Sequence, residues 1–218
     1  MFFDLDGTLA DTAPDMVAAL QALQRDTGIA PMPYDLGRSQ VSNGAVGLLS
    51  TAFPHETITV DSALLCDFID RYKRRVCEET QVFPGLDDLL LTLEGAAIPW
   101  GVVTNKPEHL THPIMEQLGL ADRSVSIVCG DTLPTRKPDP ATLLLASEHA
   151  AVAADDCIYV GDASRDIEAG KNAGMGTIAV GYGYIAADDD PLSWRADQYA
   201  ENVAELVQIL RKAVNLDT

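Results

Sequence analysis

Carboxylates, a hydroxyl and a lysine recur in this chain just after short apolar runs. Asp4-Leu-Asp-Gly-Thr8 comes first, directly after Met1-Phe-Phe3. In extended chain Asp4 and Asp6 point one way and Leu5 the other. Two carboxylates so close repel unless a cation or a shared proton relieves them. The pair is therefore a candidate for metal binding or acid–base work, and Gly7 lets the backbone turn tightly after it. The plainer alternative is an Asx-type turn at a strand end. Next comes Val102-Val-Thr-Asn105, where the Thr104 hydroxyl and the Asn105 amide can hold a phosphoryl oxygen. In Lys137-Pro-Asp-Pro140 the two prolines stiffen the segment and aim Lys137. Finally, Val160-Gly-Asp162 delivers a third acid, with Asp166 four residues on, where it can also cap a helix. Read singly, the second is an ordinary polar strand end and the third a surface lysine before a helix.

The elements that must carry these residues are legible from the apolar pattern. Strands are expected at Met1–Phe3, Pro99–Thr104, Val125–Cys129, Cys157–Gly161 and Thr177–Gly181. Amphipathic helices are expected between them, and one from Val203 to Ala213 closes the chain. Such alternation predicts an α/β fold with a parallel sheet and helices on both faces. Thr12, Pro14 and Asp15 form a helix start, Met16, Leu20 and Leu23 follow at helical spacing, and Gly28 is a plausible stop. Leu65, Ile69, Tyr72 and Val76 make a second apolar stripe, with no convincing strand nearby. The alternation begins only after Val82-Phe-Pro-Gly85. A βαβ crossover needs about thirty residues; the excess here predicts a helical insert. The expected division is a core of residues 1–13 and 81–218 and a helical cap of residues 14–80. Active sites of open α/β sheets lie beyond the carboxyl ends of the strands, where this insert would roof the four motifs. The first strand is short for a central one, which leaves room for an N-terminal extension.

Composition narrows the partners. The chain has 218 residues, 47% of them hydrophobic, and a formal net charge of −18. So acidic a surface repels nucleic acid and anionic membranes, and neither is expected as a partner. An anionic substrate would need a local positive site. Cys66, Cys77, Cys129 and Cys157 lack metal-ligand spacing and read as reduced thiols. With no secretory signal and no long apolar run, a soluble cytoplasmic protein is expected. His109 and His112 share a helical face but lack further zinc ligands. Arg71, Lys73, Arg74 and Arg75 read as a solvated helix face, with a cap cation for an anionic substrate as the alternative. Gly181 and Gly183 do not complete a dinucleotide fingerprint, and Asp188-Asp-Asp190 reads as a solvated turn.

The conjunction of the four motifs at successive strand ends resembles the haloacid dehalogenase superfamily in order and spacing. That resemblance covers the whole chain and implies a Rossmann-like core with a small all-helical cap after the first strand. It implies that Asp4 is the nucleophile and that Asp6 is the general acid and then the base. Thr104, Asn105 and Lys137 would bind phosphate. Magnesium would be held by Asp4, the carbonyl of Asp6 and Asp162, with Asp166 as a supporting acid.

Within the superfamily, Phe3-Asp-Leu-Asp-Gly-Thr-Leu9, Phe83-Pro-Gly85, Val103-Thr-Asn-Lys106 and Lys137-Pro-Asp-Pro140 resemble the phosphoglycolate phosphatase group. Trp100–Pro107, Pro113–Leu120 and Gly181-Tyr-Gly-Tyr-Ile185 look closer to its N-acetylmuramic acid 6-phosphate phosphatase branch, which serves cell-wall sugar recycling. The resemblance implies hydrolysis of a small phosphorylated metabolite, with 2-phosphoglycolate or N-acetylmuramic acid 6-phosphate as leading substrates. A sugar phosphomutase and an inactive phosphate-binding regulator are the alternatives; a dehalogenase would leave Asp6 without a task. In the cap, Ser42, Asn43 and Gly44 are candidate substrate contacts.

Overall fold

A computed structural model describes residues 1–216. One sheet organises the core. Its strands are β1 (Phe2–Phe3), β4 (Gly101–Val103), β5 (Ile127–Val128), β6 (Ile158–Gly161), β7 (Gly176–Val180) and β8 (Gln198–Ala200). Their spatial order is β5-β4-β1-β6-β7-β8, and every pairing is parallel. Short as it is, β1 sits at the centre, with Phe3 opposite Val102 on one side and Val160 on the other.

Period-two alternation sorts the strand residues between two cores. Phe3, Val102 and Val160 join a cluster with the helices α5 (Leu86–Gly95), α6 (Glu108–Gln117) and α9 (Val203–Ala213). Phe2, Val103 and Tyr159 face the opposite cluster, built with α7 (Ala141–His149) and α8 (Ser164–Asn172). Both faces being covered explains why these strands read as unbroken apolar runs. The observed strands fall inside or one residue outside the expected windows, and α9 has the expected bounds. The edge strand β8 was not anticipated, since its Gln198 and Tyr199 are exposed and only Ala200 is buried.

The segment between β1 and α5 is helical but begins and ends on a small ribbon. β2 (Ala10–Asp11) pairs antiparallel with β3 (Gln81–Val82). Between them lie α1 (Ala13–Asp26), α2 (Tyr34–Arg38), a 3₁₀ turn at Val41–Asn43, α3 (Gly44–Ala52) and α4 (Ala63–Arg74). These helices share a core of Met16, Leu20, Leu23, Leu48, Leu49, Phe68 and Tyr72. Leu20 and Leu23 are the stripe read from the sequence; Tyr72 is the member of the second stripe that is fully buried. The ribbon was missed because each of its strands is two residues long, too short for periodicity to register.

Asp15 ties the two ends of the insert together. Its buried carboxylate accepts from the main-chain N–H of Glu79 (3.0 Å) and Thr80 (2.9 Å), from the Thr80 hydroxyl (2.7 Å) and from Arg75 (3.4 Å). Asp15→Ala should leave buried donors on Thr80 unpaired. We expect a loss of roughly 2–4 kcal/mol of stability in urea unfolding. A change near zero would mean that Asp15 does not tie the ribbon to α1.

Candidate active site

All four motifs reach the carboxyl edge of the sheet. Asp4 follows β1, its N–H continuing the ladder to the Val160 carbonyl at 2.9 Å. Asp162 follows β6, and Asp166 stands in the first turn of α8, where it accepts from the Ala163 N–H at 3.0 Å. Asp4, Asp162 and Asp166 are buried, and each offers an oxygen within 4.8 Å of the others'. Among the described residues this is the one such group that could gather around an ion. Glycines make the crowding possible. Gly7 has φ +81°, and a Cβ there would lie 2.2 Å from the Asp162 carboxylate; one on Gly183 would lie 2.3 Å from Asp162 Cβ.

Burial first, then the charges of Asp4 and Asp166, push the Asp162 carboxyl up to about 7. Burial also raises Asp166, with Lys137 opposing it. Lys137 is the compensating cation. Its ammonium lies 3.0 Å from Asp4 Oδ1 and 2.7 Å from Asp166 Oδ1, the latter within ion-pair distance but without hydrogen-bond alignment. It donates to the Val103 carbonyl (3.0 Å) and the Tyr159 hydroxyl (2.7 Å).

Asn105 sits one step away from where the sequence suggested. Its side-chain amide donates to the Lys137 carbonyl (2.9 Å) and accepts from the Lys137 N–H (3.0 Å). Both ends of that amide hold the lysine's main chain. Thr104 is buried beside it, its hydroxyl accepting from the Lys106 N–H at 3.2 Å.

Asp6 does not join the buried acids. Its carboxylate accepts from Lys106 at 2.9 Å and from the Thr12 hydroxyl. The repulsion expected between Asp4 and Asp6 is thus met by two separate lysines. Lys106 was not singled out from the sequence, although it directly follows Thr104 and Asn105 at the strand end; a lysine there looks like a surface residue. Its side chain is only 4% exposed.

The helical insert touches this edge directly. The Ser42 hydroxyl donates to Asp162 at 2.8 Å, sharing that oxygen with the Tyr184 N–H. Arg165 donates to the Ser42 carbonyl at 2.6 Å. Arg38 donates to the carbonyls of Gly183 and Tyr182 and lies over the Tyr184 ring. Of the three candidate contacts in the insert, only Ser42 reaches the acids. Asn43 bonds Gln40, and the space beside Gly44 is open. In the basic run, Arg71 pairs with Asp26 and Asp67 and Arg75 with Asp15, Glu78 and Glu79, while Lys73 and Arg74 are exposed. His112 stands near Glu108, away from the acids.

The parallel α/β core thus carries three buried acids and a buried lysine at its carboxyl edge. Residues 1–180 match the haloacid dehalogenase-like hydrolase family, and the chain belongs to it. A phosphoglycolate phosphatase of Xanthomonas campestris pv. campestris is 43% identical, over 94% of this chain and 93% of its own. An N-acetylmuramic acid 6-phosphate phosphatase of Pseudomonas putida is 40% identical, over 98% and 96%. A crystal structure described as a predicted phosphoglycolate phosphatase from Haemophilus somnus superposes with a TM-score of 0.84 at 24% identity, covering 96% of each chain. No helix among the described residues is long and apolar enough to cross a membrane.

Proposed function

We propose that the chain is a phosphoric monoester hydrolase that works through a phosphoryl group carried on Asp4. The observation that supports this most is the Asp4–Asp162–Asp166 cluster facing Lys137 at the carboxyl edge. A carboxylate nucleophile splits one hard transfer into two. An Asp4 oxygen bonds to phosphorus as the bond from phosphorus to the alcohol oxygen breaks, and Asp6 gives that oxygen a proton. Water then attacks phosphorus, Asp6 takes its proton, the bond to Asp4 breaks and inorganic phosphate leaves. Thr104 and Lys137 hold the transferring group, and Asn105 keeps Lys137 in place.

The buried acids fit magnesium, a hard cation that takes oxygen ligands and keeps several waters. Asp4 and Asp162, with the Asp6 carbonyl, would hold it, and Asp166 would support them. When bound, it would neutralise charge on the transferring phosphoryl group. Residues 14–80 act as a cap in this reading, with Arg38 and Ser42 docking it on the core and limiting bulk water. The leading substrates are 2-phosphoglycolate and N-acetylmuramic acid 6-phosphate, on which the relatives are named.

Phosphorus NMR of a magnesium-containing reaction tests the proposal. Free phosphate should rise one for one with the ester lost. Conversion of one sugar phosphate isomer to another without phosphate release would make the chain a mutase. Phosphate-ester binding with no turnover would make it a regulator.

A further inference from the structure

The Lys106 ammonium is buried where core and insert meet. It donates to Asp6, lies 3.9 Å from the Met16 sulfur and stands 4.7 Å from the centre of the Tyr72 ring. Tyr72 comes from α4, on the insert side, and its side chain is fully buried. Its hydroxyl has no hydrogen-bond partner among the described residues. An orphaned buried hydroxyl is costly and rare. Here it lies beside a buried cation whose one strong acceptor is Asp6.

The proposed function gives Asp6 another place to be. To pass a proton to the leaving oxygen, Asp6 must hold that proton, and its carboxyl group must turn from Lys106 towards the substrate. That would leave the buried ammonium without a counter-ion, which is strongly unfavourable, beside a buried phenol that already lacks a partner. An incoming anion on the substrate removes both faults at once. Its phosphate is already taken by Thr104 and Lys137, so the anion must belong to the alcohol part. An ammonium and a phenol are both donors, and an ionised carboxylate is an acceptor only. Burial pushes the Tyr72 phenol up to about 12, so it stays protonated; burial lowers the Lys106 ammonium, but the Asp6 carboxylate outweighs that effect and raises it.

We propose that Lys106 and Tyr72 form a receptor for a carboxylate on the leaving alcohol, which takes the place of the Asp6 carboxylate when Asp6 turns to the ester oxygen. Lys106 and Tyr72 would then be the residues that select, among phosphate monoesters, those whose alcohol part bears a carboxylate. This rests on the phosphatase reading above. It also reconciles an anionic substrate with a chain of net charge −18, because the cation that attracts the carboxylate lies inside the site.

The test uses the full chain with magnesium and two matched pairs of esters. One pair is 2-phosphoglycolate and 2-hydroxyethyl phosphate. The other is N-acetylmuramic acid 6-phosphate and N-acetylglucosamine 6-phosphate. In the pair that is turned over faster, kcat/KM for the acid should exceed that for its neutral partner by roughly 100-fold, the scale of charge-assisted hydrogen bonds. Lys106→Met should shrink that ratio to within about 5-fold. Tyr72→Phe should shrink it several-fold while leaving the melting temperature unchanged or higher, because it removes an unpaired buried donor. That variant keeps the test open if Lys106→Met folds poorly, and a purely structural tyrosine would not change the ratio. A wild-type ratio near one, or variants that lower both members of the pair alike, would overturn the receptor while phosphate release still supported the phosphatase reading. Release of phosphate from none of the four esters would overturn both.

Discussion

Asp4→Asn should abolish phosphoester hydrolysis while the protein stays folded. The amide keeps the shape of the side chain but is no nucleophile, so turnover should fall by on the order of 10⁴–10⁶-fold, the range seen when a covalent nucleophile is removed. Folding should survive for a reason visible in the site. Asp4 is one of three buried carboxylates crowded within 4.8 Å of one another, and their main cation is Lys137. Removing one negative charge relieves repulsion, and Lys137 keeps Asp166. The variant, measured in chelator, should therefore melt no lower than the parent. Steady-state phosphate release and thermal unfolding decide it, with mass spectrometry confirming that the amide has not reverted to acid. Near-normal turnover with an intact amide would remove Asp4 from the nucleophile's role.

Much of this arrangement was legible because it is local to strand ends. In Phe3-Asp4, Val103-Thr104 and Gly161-Asp162 a buried apolar run stops at a polar residue, and a parallel sheet brings such stops to one edge. What the sequence did not disclose is pairing at a distance. Asp6 and Lys106 are one hundred residues apart, and neither the ion pair nor the Tyr72 ring beside it follows from any periodicity. The same holds for Asp15, which reads as a helix-dipole residue yet clamps Glu79 and Thr80 across the insert. Asn105 reads as a phosphate ligand because amides often are; its partner, the main chain of Lys137, becomes apparent only when β4 and the lysine segment lie side by side. Ser42 reads as a substrate contact or a cap, and it bonds to Asp162 because the whole insert folds down on the acids.

That docking joins two parts of the chemistry. One Asp162 oxygen accepts from Ser42 of the insert and from the Tyr184 N–H. The Tyr184 hydroxyl accepts from the Ala13 N–H and donates to Asp11. A single loop thus contacts an acid of the cluster, the ribbon on which the insert is carried and, through the Tyr184 ring, Arg38. The insert and Asp162 are thus joined by a direct hydrogen bond from Ser42.

The metal should matter for stability as well as for turnover. Chelation should abolish activity, and magnesium should restore it; calcium should bind without supporting good turnover, because its coordination is looser. The acids predict how this depends on pH. Asp162 titrates near 3.8 when unperturbed and at about 7 in the folded chain, raised by burial and by Asp4 and Asp166. Between those values the folded state binds more protons than the unfolded state, so stability falls as pH rises through the window. In chelator the melting temperature should therefore drop from pH 5 to pH 8. Overall acidity pushes the same way, and Asp162→Asn separates the two, since it should flatten the fall attributable to the site. Magnesium competes with protons for these carboxylates, so it should raise the melting temperature more at pH 8 than at pH 5. An equal shift at both pH values, or full turnover in excess chelator, would show that these acids do not hold the ion. A melting temperature that rises from pH 5 to pH 8 in chelator would mean that Lys137 alone keeps all three carboxylates charged, and the site would then have little need of a metal.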